Sequence, residues 1–89
     1  MRILHAIDSC DPTAGGVAEA VTRLSETLCE LGVTSEILCG NDPLSRFLQD
    51  MPNEIHALGP SRRGSYGYAP GMLPWLLQQA NEYDALVVH

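Results

Sequence analysis

The chain has 89 residues, enough for one small domain that buries only about 60–65% of its unfolded surface. Apolar residues make up 45% and charged residues 18%, the balance of a folded globular domain rather than a disordered tail. A net charge of −6, with all five basic residues arginine, argues against partnership with a nucleic-acid backbone or an anionic membrane surface.

In chain order, residues 2–7 (RILHAI) read as a strand buried on both faces, closed by the turn-rich SCDPTAGG. From Val17, apolar residues recur at spacings of three and four (Val17, Ala20, Val21, Leu24, Leu28, Leu31), which is the period of a helix. Its opposite side carries Glu19, Arg23, Glu26 and Glu30, with Glu19 and Arg23 placed as an i,i+4 pair and Gly32 placed to end the helix in a left-handed turn. TSEILCG (34–40) predicts a second strand, NDP (41–43) a turn, and Ser45 to Gln49 a short helical stretch closed by Pro52. EIHALG (54–59) predicts a third strand, followed by a glycine-rich loop with Tyr66 and Tyr68. After Pro70, MLPWLLQQANEY reads as a helix with Leu73, Leu76, Leu77 and Ala80 on one face and Pro74 in its first turn, where proline is tolerated. DALVVH (84–89) predicts a fourth strand.

This alternation is that of an α/β fold: a Rossmann-like parallel sheet of about four strands with flanking helices, incomplete at this length. Such sheets bind ligands beyond the carboxyl ends of their strands, where Asp8 to Gly16 and His89 both fall. Gly15 and Gly16 lie between a strand end and a helix start, where unpaired amides and the positive end of the helix dipole favour an anion. The fingerprint G-x-G-x-x-G is absent, and a P-loop is excluded because the chain has no lysine. On pattern alone the bend reads equally as a tight structural turn and as an anion-contacting one.

Cys10, Cys29 and Cys39 are odd in number and contain no Cys-x-x-Cys pair, so neither a disulfide framework nor a zinc site is signalled. Reduced, buried thiols in a cytoplasmic protein fit this pattern. No secretory signal and no apolar run of about 20 residues is present. Arg62-Arg63 reads as a solvated loop or a local anion site. His5 and His56, each inside a strand, read as satisfied core or edge histidines, and Trp75 reads as core. Asp11 before Pro12 is explained by turn formation, and no pair of acids is placed for glycoside hydrolysis.

With the strand, the Asp-Pro-x-x-Gly-Gly loop and the helix in place, the chain resembles the start of a GT-B glycosyltransferase of retaining family 4, or group 1. The matching stretches are RILHAIDSCDPTAGGVAEAVTRLSETLCELG, EIHALGP and YGYAPGMLPWLLQQANEYDALVVH. The resemblance implies residues 1–89 as a truncated N-terminal, acceptor-side domain of an enzyme that moves a sugar from a nucleotide-sugar donor to a glycan or lipid-linked acceptor. It implies no metal and no separate cofactor, and a cytoplasmic location that extends to the inner membrane face. By position, Gly15 and Gly16 would approach the donor diphosphate, Asp11 and Thr13 would shape the loop, and Asp11, Tyr66, Tyr68 and His89 would contact acceptor or sugar. The family's second domain, with its E-x7-E region, is not in these residues, so the resemblance implies no catalytic residue here and no transfer by this chain alone.

Two further readings stand beside it. One is an α/β binding module without catalysis that self-associates or pairs with a partner through open sheet edges. The other is a small nucleotide-binding regulator that uses Gly15-Gly16.

Overall fold

A computed structural model describes residues 1–60 and 69–89. Its four strands are β1 (Arg2–Ile7), β2 (Thr34–Cys39), β3 (Glu54–Ala57) and β4 (Ala85–Val88), and its two α-helices are α1 (Gly16–Glu30) and α2 (Met72–Gln79). Short 3-10 turns cover Pro12–Ala14, Arg46–Asp50 and Ala80–Glu82. All pairings are parallel, in the order β3-β2-β1-β4. The chain thus steps outward from β1 to β2 to β3, then crosses back to lay β4 on the far side of β1. This is the half-Rossmann order, and its direction reverses between β1 and β4.

The two faces of the sheet have different cores. Ile7, Ile37 and Cys39 meet Ala18 and Val21 of α1, with Phe47, Leu48 and Met51 of the second 3-10 segment against the same cluster. On the other face, Leu4, Ala6 and Leu38 meet Ala69 and Met72, supported by Trp75, Leu76 and Tyr83. One helix on each face covers the parallel strands, as strands buried on both sides require.

Strand boundaries agree with the sequence reading within one residue, except that the third strand ends at Ala57 rather than Gly59. Helix α1 closes as its sequence predicts. The Val33 amide donates to the Leu28 carbonyl at 2.9 Å and the Gly32 amide to the Cys29 carbonyl at 3.1 Å, with Gly32 at φ 85°. This is a Schellman closure that glycine adopts without strain. The Glu19–Arg23 pair forms at 2.8 Å.

The helix faces require correction. The buried residues of α1 are Ala18, Val21 and Ser25, whereas Val17, Ala20, Leu24 and Leu31 of the predicted stripe are exposed. In α2 the same happens: Met72, Trp75 and Leu76 pack inward, while Leu73, Leu77 and Ala80 are exposed. Both helices carry apolar residues around more of the circumference than one sheet can cover, so periodicity alone misplaced the inner face. Cys10 and Cys39 are buried free thiols, but Cys29 is exposed, contrary to the expectation for all three.

Candidate functional site at the switch point

The loop after β1 is held by short-range bonds that its own sequence supplies. Asp11 caps the Pro12–Ala14 turn by accepting from the Thr13 amide at 2.9 Å and the Thr13 hydroxyl at 2.8 Å. Those bonds, the amide first, hold the Asp11 carboxyl below its ordinary range. The loop is also tied to the end of β2. Asn41 accepts from the Cys10 amide at 2.9 Å and donates through Nδ2 to the Ser9 hydroxyl at 2.9 Å, while the Gly40 amide donates to the Asp8 carbonyl at 3.0 Å. Beneath it, the Cys10 and Cys39 sulfurs approach to 3.2 Å. That contact, with burial second, pushes the Cys10 thiol well above its usual range, so it stays protonated and acts as the donor.

Gly15 follows at φ 120° and ψ −175°, a conformation L side chains rarely adopt, and Gly16 begins α1. The space where either glycine would carry a Cβ is open. The bend therefore places the first amides of a 15-residue helix at the carboxyl rim of β1, beside the reversal between β1 and β4.

His89 closes the other side of that reversal. Its amide donates to the Ala6 carbonyl at 2.9 Å, extending the β1–β4 pairing. Its ring reaches back to β1, with Nε2 3.1 Å from Nδ1 of His5 and the two ring centroids 5.4 Å apart. Of the residues singled out from sequence, Asp11, Gly15, Gly16 and His89 thus share one rim of the sheet. Tyr66, Tyr68 and the pair Arg62-Arg63 lie outside the described residues.

Neither a family model, nor a curated protein, nor a solved structure matches this chain.

Sequence reading missed two polar clusters. The first surrounds Glu36, in the middle of β2, whose side chain is 1% exposed. Its Oε2 accepts from Arg2 Nε at 2.8 Å, and its Oε1 accepts from His56 Nε2 and from the Tyr83 hydroxyl, each at 2.8 Å. Burial by itself would raise the Glu36 carboxyl; the bonds from His56, Arg2 and Tyr83 outweigh it and hold the group below its ordinary value. Burial and the bond to Glu36 push the Tyr83 hydroxyl up to about 12. Trp75 packs on this cluster, 4.8 Å from the His56 ring.

Glu36, Glu54 and His56 bring potential ligand atoms within 4.8 Å of one another. Glu36 already accepts from three donors, on β1, on β3 and just before β4, so the arrangement ties those segments to β2. The signal available in advance was a carboxylate inside a strand otherwise apolar from Ile37 to Cys39. The second cluster runs inward from His89 through His5 to Ser35 and Ser25.

The described helices include none long and apolar enough to cross a membrane.

Proposed function

We propose that this chain is the N-terminal, acceptor-side part of a retaining family 4 glycosyltransferase of the GT-B fold. In this reading the Gly15-Gly16 bend offers backbone amides to the diphosphate of a nucleotide-sugar donor, and His89 faces the donor sugar or the acceptor, a glycan or a lipid-linked sugar. The observation that carries the reading is the position of the diglycine bend: it sits at the carboxyl rim beside the β1–β4 reversal, with open space over both glycines. A doubly wound sheet takes its ligand at that place, and a helix N-terminus there favours phosphate. Transfer itself belongs to the chain together with a second, nucleotide-binding domain, and this part alone is inactive. Its setting is cytoplasmic, extending to the inner membrane face.

The test is a titration of the 15N-labelled chain with inorganic pyrophosphate and with a panel of nucleoside diphosphates. The amide signals of Gly15, Gly16 and Val17 are expected to move, and Gly15→Ala, which puts a methyl on a φ of 120°, is expected to weaken binding about tenfold. Shifts confined to residues away from this bend, or no shifts at all, would overturn the reading.

A second reading, an α/β module that associates without catalysis, is favoured by one observation: β4 is an edge strand with Leu86, Val87 and Val88 exposed. Open strand edges recruit further strands. Light scattering on the isolated chain decides its weight, since a dimer or larger species supports association through the edge and a monodisperse monomer counts against it.

A further inference from the structure

Cys10 and Cys39 stand 29 residues apart in the chain and meet in the core. Cys10 follows β1 in the loop that leads to Gly15, and Cys39 is the last residue of β2. Both are free thiols, 1% and 0% exposed, and their sulfurs are 3.2 Å apart. A disulfide bond measures about 2.05 Å, so the sulfurs need to close by only about 1 Å to form one. The third cysteine sits elsewhere. Cys29 is exposed, and its thiol donates to the Ser35 carbonyl at 3.6 Å. Ser35 precedes Cys39 by four residues on β2, about 13 Å at strand spacing. Of the other two thiols, only that of Cys39 is within bonding reach of Cys10.

A route for a small reagent ends at the same pair. Cys10, Pro12, Ala18, Glu19, Thr22 and Met51 line a cleft of about 290 Å³. Pro12 and Glu19 are exposed, so the cleft opens to solvent. It has room for hydrogen peroxide, a molecule little larger than water, whose share of liquid volume is about 30 Å³. The Cys10 S–H donates to Cys39 and so loosens the hold of that sulfur on its own proton; burial opposes this and is the weaker influence. The thiolate is the form that attacks an oxidant.

We propose that Cys10 and Cys39 form a reversible disulfide in response to hydrogen peroxide, and that the bond shifts the loop between β1 and α1. A thiolate of the pair attacks one peroxide oxygen, the O–O bond breaks, and the departing hydroxide takes up the proton that thiol released and becomes water. The second thiol attacks the resulting sulfenic acid: the S–S bond forms, the S–O bond breaks, and the hydroxyl leaves with the thiol proton as a second water. Two electrons pass from the sulfurs to the peroxide. A dithiol reductant reverses the bond by exchange, restoring both thiols and becoming a disulfide itself. Cys39 is held against Ile7 of β1 and Ala57 of β3, so backbone adjustment falls on Cys10. The Cys10 amide is tied to the Asn41 side chain rather than to a strand, and the Asp11 cap and Gly15 follow it in the chain. That this loop carries the amides for a diphosphate rests on the reading above, whereas the disulfide rests on the geometry alone.

The folded parent chain, treated with a few equivalents of hydrogen peroxide and alkylated in denaturant, supplies the test. Cleavage after arginine and glutamate puts Cys10, Cys29 and Cys39 in three separate peptides, 3–19, 27–30 and 37–46. The expected product links 3–19 to 37–46, is about 2 Da lighter than the two reduced peptides together, and separates again after dithiothreitol. Cys29→Ser, a change at an exposed position, is expected to give the same link. In 15N spectra the amide signals of Asp11, Thr13 and Gly15 are expected to move on oxidation, while those of Asn53 and Glu54, at the opposite end of the sheet, stay. Cys10 and Cys39 both still alkylated after a peroxide dose that oxidises Cys29, or a link through Cys29 in place of Cys39, overturns the disulfide. The expected link with unmoved Asp11, Thr13 and Gly15 signals overturns the loop shift. Failure of the pyrophosphate and nucleotide titration would leave the disulfide standing, and a pair that stays reduced would leave that titration standing.

Discussion

Replacing Glu36 with alanine is expected to lower the folding free energy by roughly 3–5 kcal/mol, the cost of breaking a buried, hydrogen-bonded charge network. The change leaves His56 Nε2, the Tyr83 hydroxyl and Arg2 Nε without their shared acceptor. Small domains have total stabilities of about 5–15 kcal/mol, so a urea titration of this variant should show a midpoint shifted by a large part of its range. Glu36→Gln keeps the shape and loses the charge, and should fall between the two. A midpoint within experimental error of the parent would mean that the network contributes nothing net.

The same carboxylate sets an acid limit. Its proton affinity in the fold is below the ordinary glutamate value of 4.5. For a group depressed in this direction, the stabilisation is fully present above the unfolded value and is lost as pH falls through the folded one. Stability should therefore decline on acidification below about pH 4.5, and Glu36→Gln should flatten that part of the profile. A decline of equal steepness in Glu36→Gln would assign the acid limb to other carboxylates.

Gly59→Ala is expected to be the most damaging glycine substitution among the described residues. An added Cβ would overlap the Gly40 carbonyl oxygen and come within 2.7 Å of the Asn41 carbonyl carbon and oxygen, all backbone atoms. Those atoms cannot turn aside as a side chain would. The Gly59 amide donates to the Asn41 carbonyl at 2.8 Å, Asn41 holds the Cys10 amide, and Gly40 holds the Asp8 carbonyl. Relief of the clash must move the residues that anchor the β1–α1 loop. A loss of about 3 kcal/mol or more is expected, at the upper end for overpacking, with amide shifts that spread from Gly59 through Asn41 to Cys10. Gly16→Ala, with open space at its Cβ and an ordinary helical position, supplies the contrast. Equal effects of the two substitutions would refute the steric account.

The order of elements was legible in the sequence because each carries its own local signal. RILHAI is apolar enough to be a strand buried on both faces, Gly32 stops α1 by its conformation, and Pro74 tolerates only an early helical position. The rim of the candidate site was legible for the same reason: Asp11, Gly15, Gly16 and His89 lie at the ends of predicted strands, and a parallel sheet aligns such ends. Which side of a helix turns inward was not legible. Val17, Leu24 and Leu31 make as regular a stripe as Ala18, Val21 and Ser25, and a serine in the inner row gains its place only from a partner 10 residues away on β2.

Local sequence, then, determined the strands, the helices, their caps and the bend between β1 and α1, since these depend on backbone preference and on neighbours within a few residues. Tertiary structure decided the burial of Glu36, the inner faces of both helices and the joining of His89 to His5. Those depend on register and on the crossover that sets β4 beside β1, bringing residues 84 positions apart to within 3.1 Å.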